Sequence, residues 1–140
     1  EENKVSYIRR SLREKVAAPV ECLLADTTGE LLRFIQNADI VVQGKTFCGN
    51  NEGQNIIEPA ISGKAIVSGP ELKNFRQALD ALISGGGIYR VEHDEDLGLA
   101  LTKLINDTEM RNELGRRAAS SIKAHSGALR KTIKILEETL

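Results

Sequence analysis

The sequence contains no tryptophan, only two tyrosines and three phenylalanines. So sparse an aromatic set excludes a stacking platform for single-stranded nucleic acid. Neither sign of charge is in excess: 19 Lys and Arg against 20 Asp and Glu leave a formal charge of −1, which excludes a global field steering nucleic acid or an anionic membrane. The two cysteines, Cys22 and Cys48, have no CxxC spacing, so a cysteine zinc site and a disulfide framework are excluded. A reducing compartment fits this usage. Cys22, inside "VECLLA", is expected to be a buried small hydrophobe. His93 and His125 have no partner at metal-ligand spacing, so no metal site is expected. No pattern supports a Ser/His/Asp or Cys/His nucleophile. There is no 18-residue apolar run and no signal peptide, so the chain is not expected to span a membrane. The sequon Asn106-Asp107-Thr108 is read as chance.

What is present is an ordinary globular composition, 41% apolar and 28% charged over 140 residues. That length fits one domain, 1–140, with a real core. The abrupt start at Glu1 is expected to reflect a piece of a longer protein. Short apolar runs at 5–8, 20–25, 39–43, 65–68 and 88–91 have strand length. Helical patterns lie between and after them, at 26–38, 55–62, 72–83, 94–106, 109–124 and 127–139. Residues 9–19 read as a basic loop or short helix. This alternation predicts an α/β fold, a parallel sheet flanked by helices, with a helical C-terminal segment. The nearly continuous apolar strands predict burial on both faces. Leu31, Leu32 and Ile35 are expected on one packing face, as are Ile56, Ile57, Ala60 and Ile61. The last helix reads as amphipathic, with Leu129, Ile133 and Leu136 or Leu140 on its stripe.

In such sheets ligands sit beyond the carboxyl ends of the strands. That rule selects Asp26–Glu30 and the loop 44–58. Gly49 and Gly53 permit close backbone approach. A helix starting near 55–58 would offer unpaired N–H groups to a phosphate. Lys45 adds charge, and Gln54 and Asn55 add neutral donors. Glu58 would repel a phosphate but accept well from neutral hydroxyls such as those of a ribose. It equally suits the first turn of its own helix, and the pattern leaves the two readings level. Asp26, Thr27 and Thr28 are good helix caps, or their turn faces a flat base. Asn74 either reaches the site or caps the next helix. No GxxxxGK[ST] and no GxGxxG motif is present, so the P-loop and dinucleotide readings fail.

"DTTGEL" (26–31), "ADIVVQGKTF" (38–47), "EGQNIIEPAISGKAIVSGP" (52–70), "NFRQ" (74–77) and "GALRKTIKILEETL" (127–140) occur in that order. Together they resemble the C-terminal domain of 3-deoxy-D-manno-octulosonic acid (Kdo) transferases, with their "DTxGEL" turn and "GGHNxLEPAxxGKPVxxGP" block. The resemblance runs from about residue 5 to the end. It implies a Rossmann-like half of a GT-B glycosyltransferase that binds the donor CMP-Kdo, with no cofactor and no metal. It further implies that Glu58 takes the ribose hydroxyls. Lys45, Gly53, Gln54 and Asn55 would hold the phosphate, and Asp26, Thr27, Thr28 and Gly29 would flank the cytosine, with Asn74 as a further contact. The catalytic carboxylate and the site for the lipid A precursor would belong to an N-terminal domain outside this chain. The first βα units of this domain and a basic motif would lie outside it as well. The full protein would work at the cytoplasmic side of the bacterial inner membrane, peripherally or anchored; the fragment would be soluble and able to self-associate. Two departures stand out: "EGQN" replaces "GGHN", and Gly44-Lys45 replaces "GG". Another GT-B enzyme using a UDP-sugar, and a non-catalytic nucleotide- or partner-binding module with a drifted site, are the alternatives.

Overall fold

The computed structural model describes residues 5–12 and 19–139, with the helical backbone alone for 126–139. Residues 13–18 of the basic segment and the side chains of the expected C-terminal stripe lie outside the described residues. The chain forms two compact units, Glu1–Arg33 and Phe34–Leu140.

In the first unit, β1 (Tyr7–Arg9) and β2 (Cys22–Leu24) pair in parallel, Tyr7 opposite Cys22 and Arg9 opposite Leu24. A 3-10 turn, Arg10–Leu12, follows β1. The entry to the pair is fixed by side chains: the Ser6 N–H and Oγ both donate to Glu21 Oε2 at 2.9 Å. The expectation of strands buried on both faces fails here. Every residue of β2 is exposed and β1 is covered only at Ile8. Cys22 is therefore exposed rather than buried. A two-stranded ladder lacks the flanking strands and covering layers that bury a central strand.

The second unit is built around a parallel sheet in the order β3 (Ile40–Val42), β4 (Ala65–Ser68), β5 (Tyr89–Arg90). The crossovers carry α2 (Ile57–Ile61) and α3 (Arg76–Ser84). After β5 come α4 (Leu97–Asn106) and α5 (Thr108–Thr139). β4 is buried throughout, and its alternation divides the core. Ile66 joins Ile56, Ala60, Leu79, Leu82 and Ala118 on one face, under α2, α3 and α5. Ala65 and Val67 join Val91, Ala100 and Leu104 on the other, under α4. α1 (Leu31–Asn37) leads into this unit.

Four helix expectations are corrected. Ile35 of α1 is buried, but Leu31 and Leu32 are 63% and 48% exposed. Ile56 and Ala60 are fully buried while Ile61 is 64% exposed, because a helix as short as α2 turns a single face to the core. The segments 109–124 and 127–139 form one continuous helix, so His125 lies within it and not near an end. The helix expected from Leu72 starts only at Arg76. Leu72 is held in a non-helical conformation (φ −135°, ψ 86°), 2% exposed, and Lys73–Phe75 form a 3-10 turn.

Candidate functional site

The residues after β1 and after β2 lie side by side because parallel paired strands end at the same edge. Asp26, expected as a helix cap, is instead taken up by the segment following β1. Its carboxylate accepts from Ser11 Oγ (2.7 Å), the Ser11 N–H (2.9 Å) and Arg9 Nε (3.0 Å). Glu30 accepts from Thr27 Oγ1 at 2.6 Å and from Arg10 at 2.8 Å. Gly29 completes the turn with φ +80°, in the left-handed region. Arg10, Ser11, Asp26, Thr27, Thr28 and Glu30 line a cavity of about 550 Å3. Arg9, Arg10 and Ser11 were missed as members of this cluster by sequence reasoning. The available signal was topological: two parallel strands bring their following loops together.

The Ser11 hydroxyl, followed by the Ser11 N–H and Arg9, pulls Asp26 from 3.8 down to about 2. Glu30 is lowered as well, first by Thr27 and then by Arg10. A carboxylate depressed in the folded state stabilises it above the unfolded value and loses that contribution as pH falls through the folded one. The β1–β2 unit is thus expected to loosen between about pH 4 and pH 2. Ser11→Ala should move the Asp26 midpoint upward toward 3.8, as read by carboxyl-carbon NMR titration; an unchanged midpoint would remove this account.

In the second unit the loop after β3 is held by backbone bonds. Lys45 takes φ +58°, and its carbonyl accepts from the Gly53 N–H at 3.0 Å. Gly53 has φ +71° and is packed so closely that an added Cβ would lie 2.8 Å from Leu72 Cγ. The Lys73 N–H donates to the Asn51 carbonyl and the Asn74 N–H to that of Glu52, at 2.8 and 3.2 Å. Asn74 thus meets the loop through its backbone, and α3 has no side-chain cap. At the base, buried Thr46 donates from Oγ1 to the Gln43 carbonyl (2.8 Å) and accepts from the Gly69 N–H (2.9 Å). This ties the ends of β3 and β4 together. Gln43 is also buried, and its Nε2 has no partner among the described residues.

The remaining predicted residues follow. Lys45 Nζ and Glu52 form an ion pair at 3.3 Å, both side chains more than half exposed. Gln54 is exposed, and its Cγ would touch a Cβ placed on Gly44. Asn55 Oδ1 accepts from the N–H of Ile57, the first residue of α2, at 3.0 Å, and its Nδ2 remains a donor for a ligand. Glu58 is half-buried in the first turn of α2, and its carboxylate has no hydrogen bond or ion pair among the described residues. Glu58 thus holds the first-turn position that suits its own helix, without a capping hydrogen bond from its side chain among the described residues. α2 has only five residues, so an anion here would rely on loop N–H groups and amides more than on a helix dipole. A further cavity of this unit, about 430 Å3, is lined by Thr46, Gly49 and Asn50 of the loop together with Glu71, His93 and Asp94 among others. Among the described residues no group of acidic, histidine or cysteine side chains is placed to hold a metal ion, and no helix is long and apolar enough to cross a membrane.

No protein-family model matches the chain. The chain is 32% identical over 138 residues to a 3-deoxy-D-manno-octulosonic acid transferase of Bordetella pertussis, covering 97% of this chain and 32% of that protein. It is 28% identical over 138 residues to the enzyme of the same name from Haemophilus influenzae, covering 98% of this chain and 32% of that protein. The chain is a homologue of part of the Kdo transferases. It spans about a third of the length of these curated relatives. Its fold is similar to the C-terminal CMP-Kdo binding domain of WaaA from Acinetobacter baumannii, with a TM-score of 0.75 at 22% identity, covering 84% of this chain and 61% of that one. The expected class, a Rossmann-like α/β fold of parallel strands flanked by helices as in a C-terminal GT-B domain, is thus the fold found, with the strands divided into a two-stranded and a three-stranded sheet where a single sheet was expected. The Kdo-transferase-like blocks fall on the segments just described: "DTTGEL" on the turn from β2 to α1, and "GQNIIEP" on the end of the loop and the start of α2.

Proposed function

We propose that this chain binds the nucleotide of CMP-Kdo as part of the donor domain of a Kdo transferase. The whole protein would transfer Kdo, with inversion, to a lipid A precursor at the cytoplasmic face of the bacterial inner membrane. The acceptor site and catalytic carboxylate are assigned to residues outside this chain, so no catalytic residue is proposed within it. One observation carries the reading: a half-buried carboxylate, Glu58, stands at the first turn of α2 without a partner among the described residues, at the end of a loop rich in neutral donors. A carboxylate held this way is an acceptor awaiting hydroxyl donors, and a ribose supplies two. The loop N–H groups, Gln54 and Asn55 Nδ2 would take the phosphate and stabilise its charge as it leaves.

Calorimetric titration of the protein with CMP, UMP and UDP tests this. CMP is expected to bind more tightly than UMP or UDP. Tighter binding of UDP would turn the reading to a UDP-sugar enzyme. No binding of any of the three at millimolar concentration would leave a partner-binding module with a drifted site.

A further inference from the structure

The loop 44–58 contains one cation, Lys45, and two carboxylates, Glu52 and Glu58. The backbone brings Lys45 and Glu52 together. The Gly53 N–H is bonded to the Lys45 carbonyl, the Glu52 carbonyl is bonded to the Asn74 N–H, and Gly53 is packed against Leu72. Two long side chains thus rise from neighbouring anchored positions and meet at 3.3 Å. Lys73, joined to the loop through its backbone, lines a separate cavity with Arg76 and Arg90.

Resting on the reading of this loop as the phosphate site, we infer that Glu52 is a specificity-determining residue: by holding Lys45, it sets the charge the loop accepts. With the pair closed, the loop meets an anion through neutral donors and carries the uncompensated charge of Glu58. A single phosphate ester can be held by N–H groups and amides alone. A diphosphate brings at least one more negative charge and gains more from a free cation, which the closed pair with Glu52 occupies. The site therefore takes a nucleoside monophosphate ester and discriminates against a nucleoside diphosphate. An exposed pair opens at low cost, so the discrimination is graded and dependent on salt.

A double-mutant cycle on Lys45 and Glu52 tests the inference, with CMP, cytidine 5′-diphosphate and neutral cytidine titrated calorimetrically at low ionic strength. Glu52→Gln is expected to strengthen diphosphate binding about 5- to 10-fold and CMP binding about 2- to 3-fold, both gains shrinking at high salt, where charges of this exposure are screened. Lys45→Ala should weaken binding less than about 2-fold beside Glu52, yet about 5-fold in the Glu52→Gln background, the signature of coupled residues. Cytidine affinity should not change. CMP binding with equal Lys45→Ala effects in the two backgrounds, or equal Glu52→Gln gains for the two nucleotides, overturns the inference and leaves the nucleotide site standing. Failure of all four proteins to bind CMP overturns both.

Discussion

Replacing Gly69 by alanine is expected to cost roughly 3 kcal/mol or more of stability, in the range of severe overpacking against fixed structure. Gly69 follows the fully buried strand β4 and lies against the carbonyl of Thr46. A Cβ there would fall inside the contact radius of the Thr46 carbonyl oxygen and 2.7 Å from its carbon. Those atoms are backbone and cannot rotate away. Relief would require β3 and β4 to part, which breaks the bond from the Gly69 N–H to Thr46 Oγ1 and disturbs the bond from Thr46 Oγ1 to Gln43. The same junction positions Lys45 and the loop beyond it, so nucleotide binding should fall together with stability. Two companion variants separate the steric cause from the polar one. Thr46→Val keeps the shape but leaves a buried N–H and a buried carbonyl short of a partner, an expected loss of about 2 kcal/mol. Thr46→Ser keeps the hydroxyl and should lose less than about 1 kcal/mol, the scale of one small methyl deletion. Urea denaturation reads all three. A Gly69→Ala protein as stable as the parent would show that the strand ends are not clamped as described.

The same junction shows why the sequence was readable at some places and not at others. β4 lies at 65–68, where its apolar run predicts it, because a strand flanked by β3 and β5 and covered on both faces must be apolar throughout. β2 has an equally apolar sequence but lies in a two-stranded ladder, and there the pattern misled, for Cys22 above all. α5 runs through Gly127 because one glycine in a helix interior costs only about 1 kcal/mol, too little to end a helix by itself. Position 72 reads as helical, yet Leu72 is used as a plug beneath Gly53, a demand visible only once the loop is folded. For the candidate site, residue types were legible but partnerships were not. Lys45 and Glu52 are seven apart in a loop, a spacing that implies no contact until the bond from Gly53 to Lys45 closes the turn. Asp26 reads as a helix cap, because its partners Ser11 and Arg9 come from a different strand end.

Glu58→Ala should weaken CMP binding about 10- to 100-fold while leaving folding nearly intact. The binding estimate takes the net loss at the scale of one hydrogen bond to a charged acceptor, about 1.5–3 kcal/mol, with tenfold in affinity for every 1.4 kcal/mol. The folding estimate follows from what the carboxylate lacks. It makes no hydrogen bond among the described residues, and the first N–H of α2, that of Ile57, is already taken by Asn55 Oδ1. What remains is a favourable dipole interaction in a first turn, at most about 1 kcal/mol and less for a five-residue helix. The two roles of Glu58 that the sequence left level therefore differ in their signatures. A ligand contact loses affinity at constant stability, and loses it for CMP far more than for inorganic phosphate, which has no ribose. A helix-start acid loses stability first and affects both ligands alike. Glu58→Gln sharpens the distinction, because the amide keeps the side-chain volume and one acceptor oxygen but not the charge. It should recover part of the CMP affinity if ribose hydroxyls are the donors. Unchanged CMP affinity in a folded Glu58→Ala protein would remove Glu58 from the site, and with it the observation on which the nucleotide assignment stands.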